Sequence, residues 1–384
     1  MKKENKSFFI IFMTVWILLV VLNFIIPTKS FSEQENRYMA KFPKFTFENL
    51  VSGKYSEELN DYINDHFVFR NAWLKTKSFT ELALGKKENN GVYIGKDGFL
   101  FEKFEFGEEE LKNVKSTLKS MNNLTNKIDI PIYFALVPNS IYINSDKLPD
   151  NVEVDNQEEI IDKIYENTQN TINIDTVDIL KENKENYIYF KTDHHFTSDG
   201  AYLVYLKFCE KANISPVTLE NYERKCISEE FLGTFDSKAQ IPNQEKDKIY
   251  VYMNDNNRTV KSAIYDNEET NKIYNEEYLS KKDKYSYFLN GNNSKVAIKT
   301  NIQNGKKLLL IKDSYSHIMA QFLCQNFEEL HFIDPRYYTG NLNDYIEENN
   351  ITDILFLYNV STFVEDKGIV SLENNWFFLS RFVK

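Results

Sequence analysis

The sequence predicts an α/β protein in which a parallel sheet is flanked by helices, carried on an N-terminal transmembrane helix and interrupted by a β-rich insertion. Three observations predict it. From Lys307 onward short apolar runs alternate with helical patterns: strand at Lys307 to Ile311, helix at Tyr315 to Gln325, strand at Glu329 to Ile333, helix at Leu342 to Glu348, strand at Asp353 to Tyr358. Such alternation builds a parallel sheet with helices on its faces. Ile130 to Val137 is continuously apolar, as a strand buried on both faces must be. Phe8 to Ile26 is apolar except at Thr14 and Asn23, and as a helix it spans about 28 Å at about 1.5 Å per residue.

Lys2, Lys3 and Lys6 precede that run, so the positive-inside rule leaves the N-terminus in the cytoplasm and everything after residue 27 outside the cell. A cleaved signal peptide is the rival reading. The run is long for one, and Pro27-Thr28-Lys29-Ser30 lacks a small-x-small cleavage pattern, so an uncleaved single-pass anchor is preferred. The domain plan is then 1–27 as cytoplasmic tip and anchor, 28–107 as linker and extension packing on the core, and 108–384 as the main domain.

Three Lys and one Glu give the first 26 residues a charge of +2, and the whole chain carries −11, which leaves −13 for the remainder. A surface that acidic disfavours nucleic acid and anionic lipid and admits a neutral substrate more readily than a polyanion. The three cysteines, Cys209, Cys226 and Cys324, are odd in number and widely spaced, so neither a disulfide framework nor a metal site is indicated.

After the aromatic-dotted linker, Val51 to Phe67 reads as an amphipathic helix, with Asp65, His66 and Arg70 as a polar network at its end. Gly91 to Leu100 reads as a hairpin around Lys96-Asp97-Gly98. Helices follow at Glu108 to Lys127 and about Gln157 to Asn173. Tyr187 to Phe190 then reads as a strand, and Thr197 or Ser198 caps a helix running to about Ala212. From about 216 to 304 short alternating pieces separated by Asn, Asp, Gly and Lys predict the inserted β-rich region, with Gly233-Thr234-Phe235 as a turn near its start.

The chemistry centres on Lys191-Thr192-Asp193-His194-His195-Phe196-Thr197, which holds two of only five histidines. On extended backbone Asp193 and His195 share a face, so the acid can orient the imidazole as a general base. His194 then points the other way. The matching nucleophile is Ser314, which follows the strand Lys307 to Ile311 by way of Lys312-Asp313 and precedes a helix whose free N–H groups suit an oxyanion. Ser316 is the nearest competing hydroxyl, but it falls inside the helix's first turn and loses the elbow position. His317 either reaches the nucleophile from the next turn or faces solvent, and His331 packs within its strand. Asp193-His194-His195 also raises a metal reading, but three consecutive residues converge poorly on one ion, so no metal and no cofactor is expected.

Thr192 to Tyr202 (Thr-Asp-His-His-Phe-Thr-Ser-Asp-Gly-Ala-Tyr) resembles the signature of the DHHW family, SGNH-hydrolase-like extracytoplasmic proteins related to those that O-acetylate alginate and other exopolysaccharides. Phe31 to Arg37, Asp65 to Arg70, Gly91 to Leu100, Val137-Pro138, Phe231 to Thr234 and Lys312 to Ser316 also look like family landmarks. The resemblance implies a circularly permuted SGNH order, with Asp193 as orienting acid, His195 as base and Ser314 as nucleophile. Phe196 stands where the family's name-giving Trp would be, which keeps an aromatic and loses an indole N–H. Arg336, after Phe332-Ile333-Asp334-Pro335, matches an arginine near the site of the acetyltransferase relatives and is expected, with Tyr315, to contact substrate.

The function expected is therefore a serine-dependent O-acetyltransferase at the cell membrane, acting on an extracellular polysaccharide through an acetyl-serine. The resemblance also implies a membrane-bound O-acyltransferase partner as donor. An acetylesterase with the same triad, a non-catalytic polysaccharide-binding or assembly factor using some of the 24 Tyr and 30 Phe, and a metal phosphoesterase are the alternatives.

Overall fold

The apolar N-terminal run forms one uninterrupted helix, α1 (Lys3–Ile25), long and apolar enough over Lys6–Ile25 to cross a membrane, and its described side chains lie outside any protein core. The computed structural model describes residues 3–373, and the chain divides into two units, Met1–Asn89 with Ser237–Gln244 and Asn90–Asp236 with Glu245–Lys384.

In the first unit the predicted helix over 51–67 is broken. Gly53 adopts φ +81°, open only to a residue without a Cβ at little cost, and separates a short helix at Phe47–Val51 from α2 (Lys54–His66). A second corner leads into α3 (Arg70–Ala83). The expected network at the end of α2 is present and larger than predicted. Asp65 takes a fork of hydrogen bonds from the Arg37 guanidinium (2.6 and 2.9 Å) and one from the Ala40 N–H (2.8 Å), His66 bonds the Ala40 carbonyl, and Arg70 pairs with Glu35. The Arg37 fork holds the Asp65 carboxyl down at about 2.

The second unit opens with an antiparallel hairpin, β1 (Val92–Ile94) and β2 (Leu100–Glu102), as the Lys-Asp-Gly turn predicts. α4 (Glu108–Thr125) leads to β3 (Ile132–Val137). The helix predicted over 157–173 stops early: α5 (Gln157–Glu166) gives way to a short strand, β4 (Ile172–Ile174). α6 (Ser198–Ala212) is capped by Thr197, whose hydroxyl accepts from the Gly200 N–H. The insertion contributes a two-stranded ribbon, β5 (Glu223–Phe231) with β6 (Asp247–Met253), and three strands, β7 (Ser262–Tyr265), β8 (Glu268–Thr270) and β9 (Lys295–Lys299). β10 (Lys307–Lys312), β11 (Glu329–Ile333), α7 (Leu342–Asn349) and β12 (Asp353–Asn359) complete the alternation with bounds close to those predicted.

One eight-stranded sheet unites these elements in the order β8-β7-β9-β11-β10-β12-β3-β4. The five strands from β11 to β4 are parallel, and β9, β7 and β8 extend the edge antiparallel. The insertion is thus partly a continuation of the main sheet and not a separate β subdomain. In β3 side chains split by the period of two: Tyr133, Ala135 and Val137 join a cluster with Val204, Tyr205 and Phe208 of α6, while Phe134 and Leu136 join one with Leu118 and Met121 of α4. Phe134 is fully buried, and removing such a ring costs about 3–5 kcal/mol. The cysteines are unpaired; burial pushes the thiols of Cys209 and Cys324 up to about 12, so neither is a reactive thiolate.

Candidate active site

The segment 187–197 is not the sheet strand its aromatic run predicts. Only Tyr189 and Phe196 pair, antiparallel, and the residues between them form a tight loop closed by Phe190 N–H to His195 O (3.3 Å) and Thr197 N–H to Ile188 O (2.9 Å). Asp247, at the start of β6 and 2 % exposed, holds this loop from beneath. Its carboxylate accepts from the Lys191 and Thr192 N–H groups (2.9 and 2.8 Å) and from the Thr192 and Tyr187 hydroxyls (both 2.6 Å). Four donors on one buried acid fix the loop without relying on a sheet.

Asp193 therefore reaches His195 through a turn and not across a strand face. Its Oδ1 accepts from both the His195 N–H (3.1 Å) and the imidazole Nδ1 (2.6 Å), and its Oδ2 accepts from the Thr234 N–H (2.8 Å). Gly233 approaches so closely that a Cβ there would lie 2.2 Å from that of Asp193. The Gly233-Thr234-Phe235 turn is thus a backbone support for the acid. Burial alone would raise Asp193; the neighbouring His194 and His195 rings and the bonds from His195 and Thr234 outweigh it and leave the carboxyl well below its usual range. It stays ionised.

His195 Nε2 lies 2.8 Å from Ser314 Oγ, across 119 residues of chain. Ser314 stands just past the carboxyl end of β10 and opens a short 3₁₀ helix (Ser314–Met319), which passes into one α-helical turn (Ala320–Leu323), so the helix predicted over 315–325 is present with a tighter start. Asp313 fixes this turn: Oδ1 accepts from the Tyr315 N–H and Oδ2 from the Asn359 N–H at the end of β12, each at 2.9 Å. The Tyr315 amide is therefore engaged by the Asp313 cap, a correction to the expectation that the helix start offers it freely to an oxyanion. Ser316 is fully buried, its hydroxyl bonded to the Leu357 carbonyl (3.2 Å), which removes it as a rival nucleophile.

Tyr285, which no sequence signal marked, completes the cluster. Its ring stacks on His195, and its hydroxyl donates to the carbonyls of Ser314 (3.1 Å) and Tyr315 (3.3 Å). Tyr315, expected to contact substrate, is 1 % exposed; its hydroxyl bonds the His194 carbonyl and its ring meets Phe196 edge-on at 4.9 Å. It positions the histidine loop from inside. Phe196 keeps the packing role of the expected tryptophan. Arg336 is half-buried and forks onto Asp334 (2.8 and 2.6 Å) past the end of β11.

The remaining histidines differ from expectation. His194 does not turn away from His195: the ring centroids are 3.8 Å apart and its Nδ1 bonds the Thr234 hydroxyl (2.7 Å). Burial and the adjacent His195 lower its pKa. His317 neither faces solvent nor touches Ser314; it is buried, 2.8 Å from Lys312 Nζ, and burial followed by that ammonium pushes it far down. His331 is buried against the Tyr345 hydroxyl (2.8 Å) and Glu329 (3.3 Å). One ligand atom each from Asp193, His194 and His195 lie within 4.8 Å of one another, closer than three consecutive residues were expected to come. The ring nitrogens Nδ1 and Nε2 of His195 and Nδ1 of His194 nonetheless already face Asp193, Ser314 and Thr234.

The fold is an α/β sheet, parallel at its centre, that presents a serine at a strand end in line with an imidazole and a carboxylate. The chain belongs to the DHHW protein family, whose model matches residues 88–333. The solved structure of a DHHW family protein from Eubacterium siraeum is similar at 26 % identity and a TM-score of 0.65, covering 74 % of this chain and 96 % of that one. Bacillus cereus PatB1 shares the fold at 22 % identity and a TM-score of 0.61, covering 71 % and 97 %. The O-acetyltransferase domain of Pseudomonas putida AlgJ matches more remotely, at 12 % identity and a TM-score of 0.48 over 74 % and 99 %. No curated protein matches.

Proposed function

We propose that the protein is a serine-dependent O-acetyltransferase anchored in the cell membrane and acting on an extracellular polysaccharide. The observation that carries this reading is the unbroken line from Asp193 through His195 (2.6 Å) to Ser314 (2.8 Å). Such a line activates a hydroxyl for acyl transfer. His195 Nε2 takes the Ser314 proton as Oγ bonds the acetyl carbonyl carbon; the donor's leaving group takes that proton back and departs, leaving acetyl-Ser314. A sugar hydroxyl then gives its proton to His195 and attacks the same carbon, and the proton returns to Ser314 as it leaves. Asp193 holds the imidazole and balances its charge in both halves. The family resemblance supports acetyl as the group carried, a membrane-bound O-acyltransferase as donor, and Arg336 as a contact for the acceptor. With water in place of the sugar the same steps give an esterase.

The test incubates the purified full chain in detergent with a chromogenic acetyl ester, with and without oligosaccharide acceptor, and follows Ser314 by mass spectrometry. Acetyl-Ser314, product formation accelerated by acceptor, and loss of both in Ser314→Ala support transfer. Turnover indifferent to acceptor leaves the esterase. Glycan binding that survives Ser314→Ala, with no acyl-enzyme and no turnover, would overturn the enzyme reading in favour of a binding factor.

A further inference from the structure

The first unit leaves many aromatic side chains exposed, among them Tyr38, Phe42, Phe45, Phe47 and Phe79, and three more gather at one corner beside the end of α1. Phe67, Phe69 and Trp73 are 39, 56 and 49 % exposed, and all three belong to the corner between α2 and α3. One hydrogen bond ties this corner to the end of α1, and a second braces the corner itself. The Val68 N–H donates to the Asn23 side chain (2.9 Å), two residues before α1 ends, and the Trp73 indole N–H donates to the Val68 carbonyl (3.0 Å). Since neighbouring Cα atoms are about 3.8 Å apart, Phe67 and Phe69 lie beside that same last turn. There Phe24 and Ile25 are also bare, at 87 and 70 % exposure.

Phe69 adds a second, independent observation. It sits at φ +59°, the left-handed region that a bulky side chain normally avoids, and this strained backbone holds its ring outward. Water does not reward the exposure. A bilayer boundary does, because it is where amphipathic aromatic rings concentrate at the ends of membrane helices. Asn23 fits the same reading, since a polar side chain near the end of a span is satisfied by the Val68 amide.

We infer that the α2–α3 corner lies in the headgroup–acyl boundary of the bilayer that α1 crosses, with Phe67, Phe69 and Trp73 inserted as an interfacial anchor. The inference rests on the membrane-anchored reading of α1. Its consequence is a first unit that is clamped to the outer leaflet at two points, the span and the corner, and does not swing on a flexible stalk.

Three tryptophans make this measurable, Trp16 within α1, Trp73 at the corner and Trp376. The full chain is reconstituted in phosphatidylcholine nanodiscs as two variants, one keeping only Trp73 (Trp16→Phe, Trp376→Phe) and one keeping only Trp16 (Trp73→Phe, Trp376→Phe). Lipids brominated near the glycerol or near the chain ends then quench by depth. The expected result is blue-shifted Trp73 emission lost to shallow bromines more than to deep ones, with Trp16 lost to deep bromines. Trp16 quenched while Trp73 emission stays red-shifted and unquenched overturns the inference and leaves the anchor standing; Trp16 unquenched overturns both. Should either variant lose its native circular dichroism, a spin label at Phe69→Cys in a chain that also carries Cys226→Ser, which removes the partly exposed native thiol, reads the same depth from its accessibility to oxygen against a nickel chelate. An aqueous-type accessibility there also overturns the inference.

Discussion

The rings of Tyr285 and His195 lie face to face, centroids 3.6 Å apart and planes within 10° of parallel. The tyrosine hydroxyl simultaneously holds the Ser314 carbonyl, so one side chain registers the imidazole against the serine. Tyr285→Phe keeps the ring and removes the hydroxyl bonds, and a loss of about 1 kcal/mol in stability with kcat little changed is expected. Tyr285→Leu removes the stacked face as well. Stacked aromatic pairs contribute about 0.5–1.5 kcal/mol, so kcat should fall by up to about tenfold beyond the effect of Phe, with KM nearly constant. Steady-state kinetics on an acetyl ester, beside thermal melts, separate the two roles.

Asp193→Asn tests the acid. The amide is nearly isosteric but cannot hold a proton on His195 Nδ1 with full charge, and kcat should fall on the order of 10³–10⁴-fold while the melting temperature moves little. Chelation is the companion measurement. With the ring nitrogens facing Asp193, Ser314 and Thr234, dialysis against EDTA should leave turnover unchanged. A loss restored by added zinc would sink the serine mechanism.

Gly233→Ala tests the support beneath that acid. Its Cβ would fall 2.2 Å from the Asp193 Cβ, so the acid or the turn must shift. A displacement of about 1 Å at a reacting group costs about 10²-fold in rate, and a loss of that order is expected with the protein still folded. Activity equal to wild type would show that the close approach is not needed.

His331 predicts a pH dependence of stability. Burial lowers it from 6.5 to about 4, against partial compensation by Glu329, and its side chain is 3 % exposed. Between those two values the unfolded chain binds a proton that the folded chain does not. Stability is therefore level above about 6.5 and falls as pH drops toward about 4, by on the order of 3 kcal/mol from this residue. Urea titrations from pH 7 to 4.5 should show a shallower decline in His331→Gln than in wild type; equal slopes would mean that the folded imidazole is already charged.

How much of this was legible in the sequence depends on where each element finds its partners. β10, β11 and β12 read directly, because parallel strands covered on both faces are unbroken apolar runs such as Leu308 to Ile311. β4 did not, since Ile172-Asn173-Ile174 is three residues at a sheet edge and leaves too little pattern. Tyr187 to Phe190 read as a strand because it is aromatic and apolar; its actual place in a tight loop comes from Asp247, 55 residues beyond Thr192. The meeting of Ser314, His195 and Asp193 was legible, from a rare residue type beside an acid and a hydroxyl after a strand. Tyr285 and Asp247 were not, because ring stacking and a buried acid that collects donors leave no local signature. His317 was misplaced for the same reason: nothing near it in the chain announces that Lys312 will be buried with it.

The strand order carries a consequence for biogenesis. β10, β11 and β12 emerge last among the strands yet occupy the middle of the sheet, between β9 on one side and β3 on the other, both made earlier. Until the final stretch arrives, a growing chain holds two half-sheets with bare inner edges, and bare edges recruit other chains. A polypeptide cut near Thr300 should accordingly behave as a clumping fragment and not as a smaller working domain, and those edges need shelter until the keystone strands slot in.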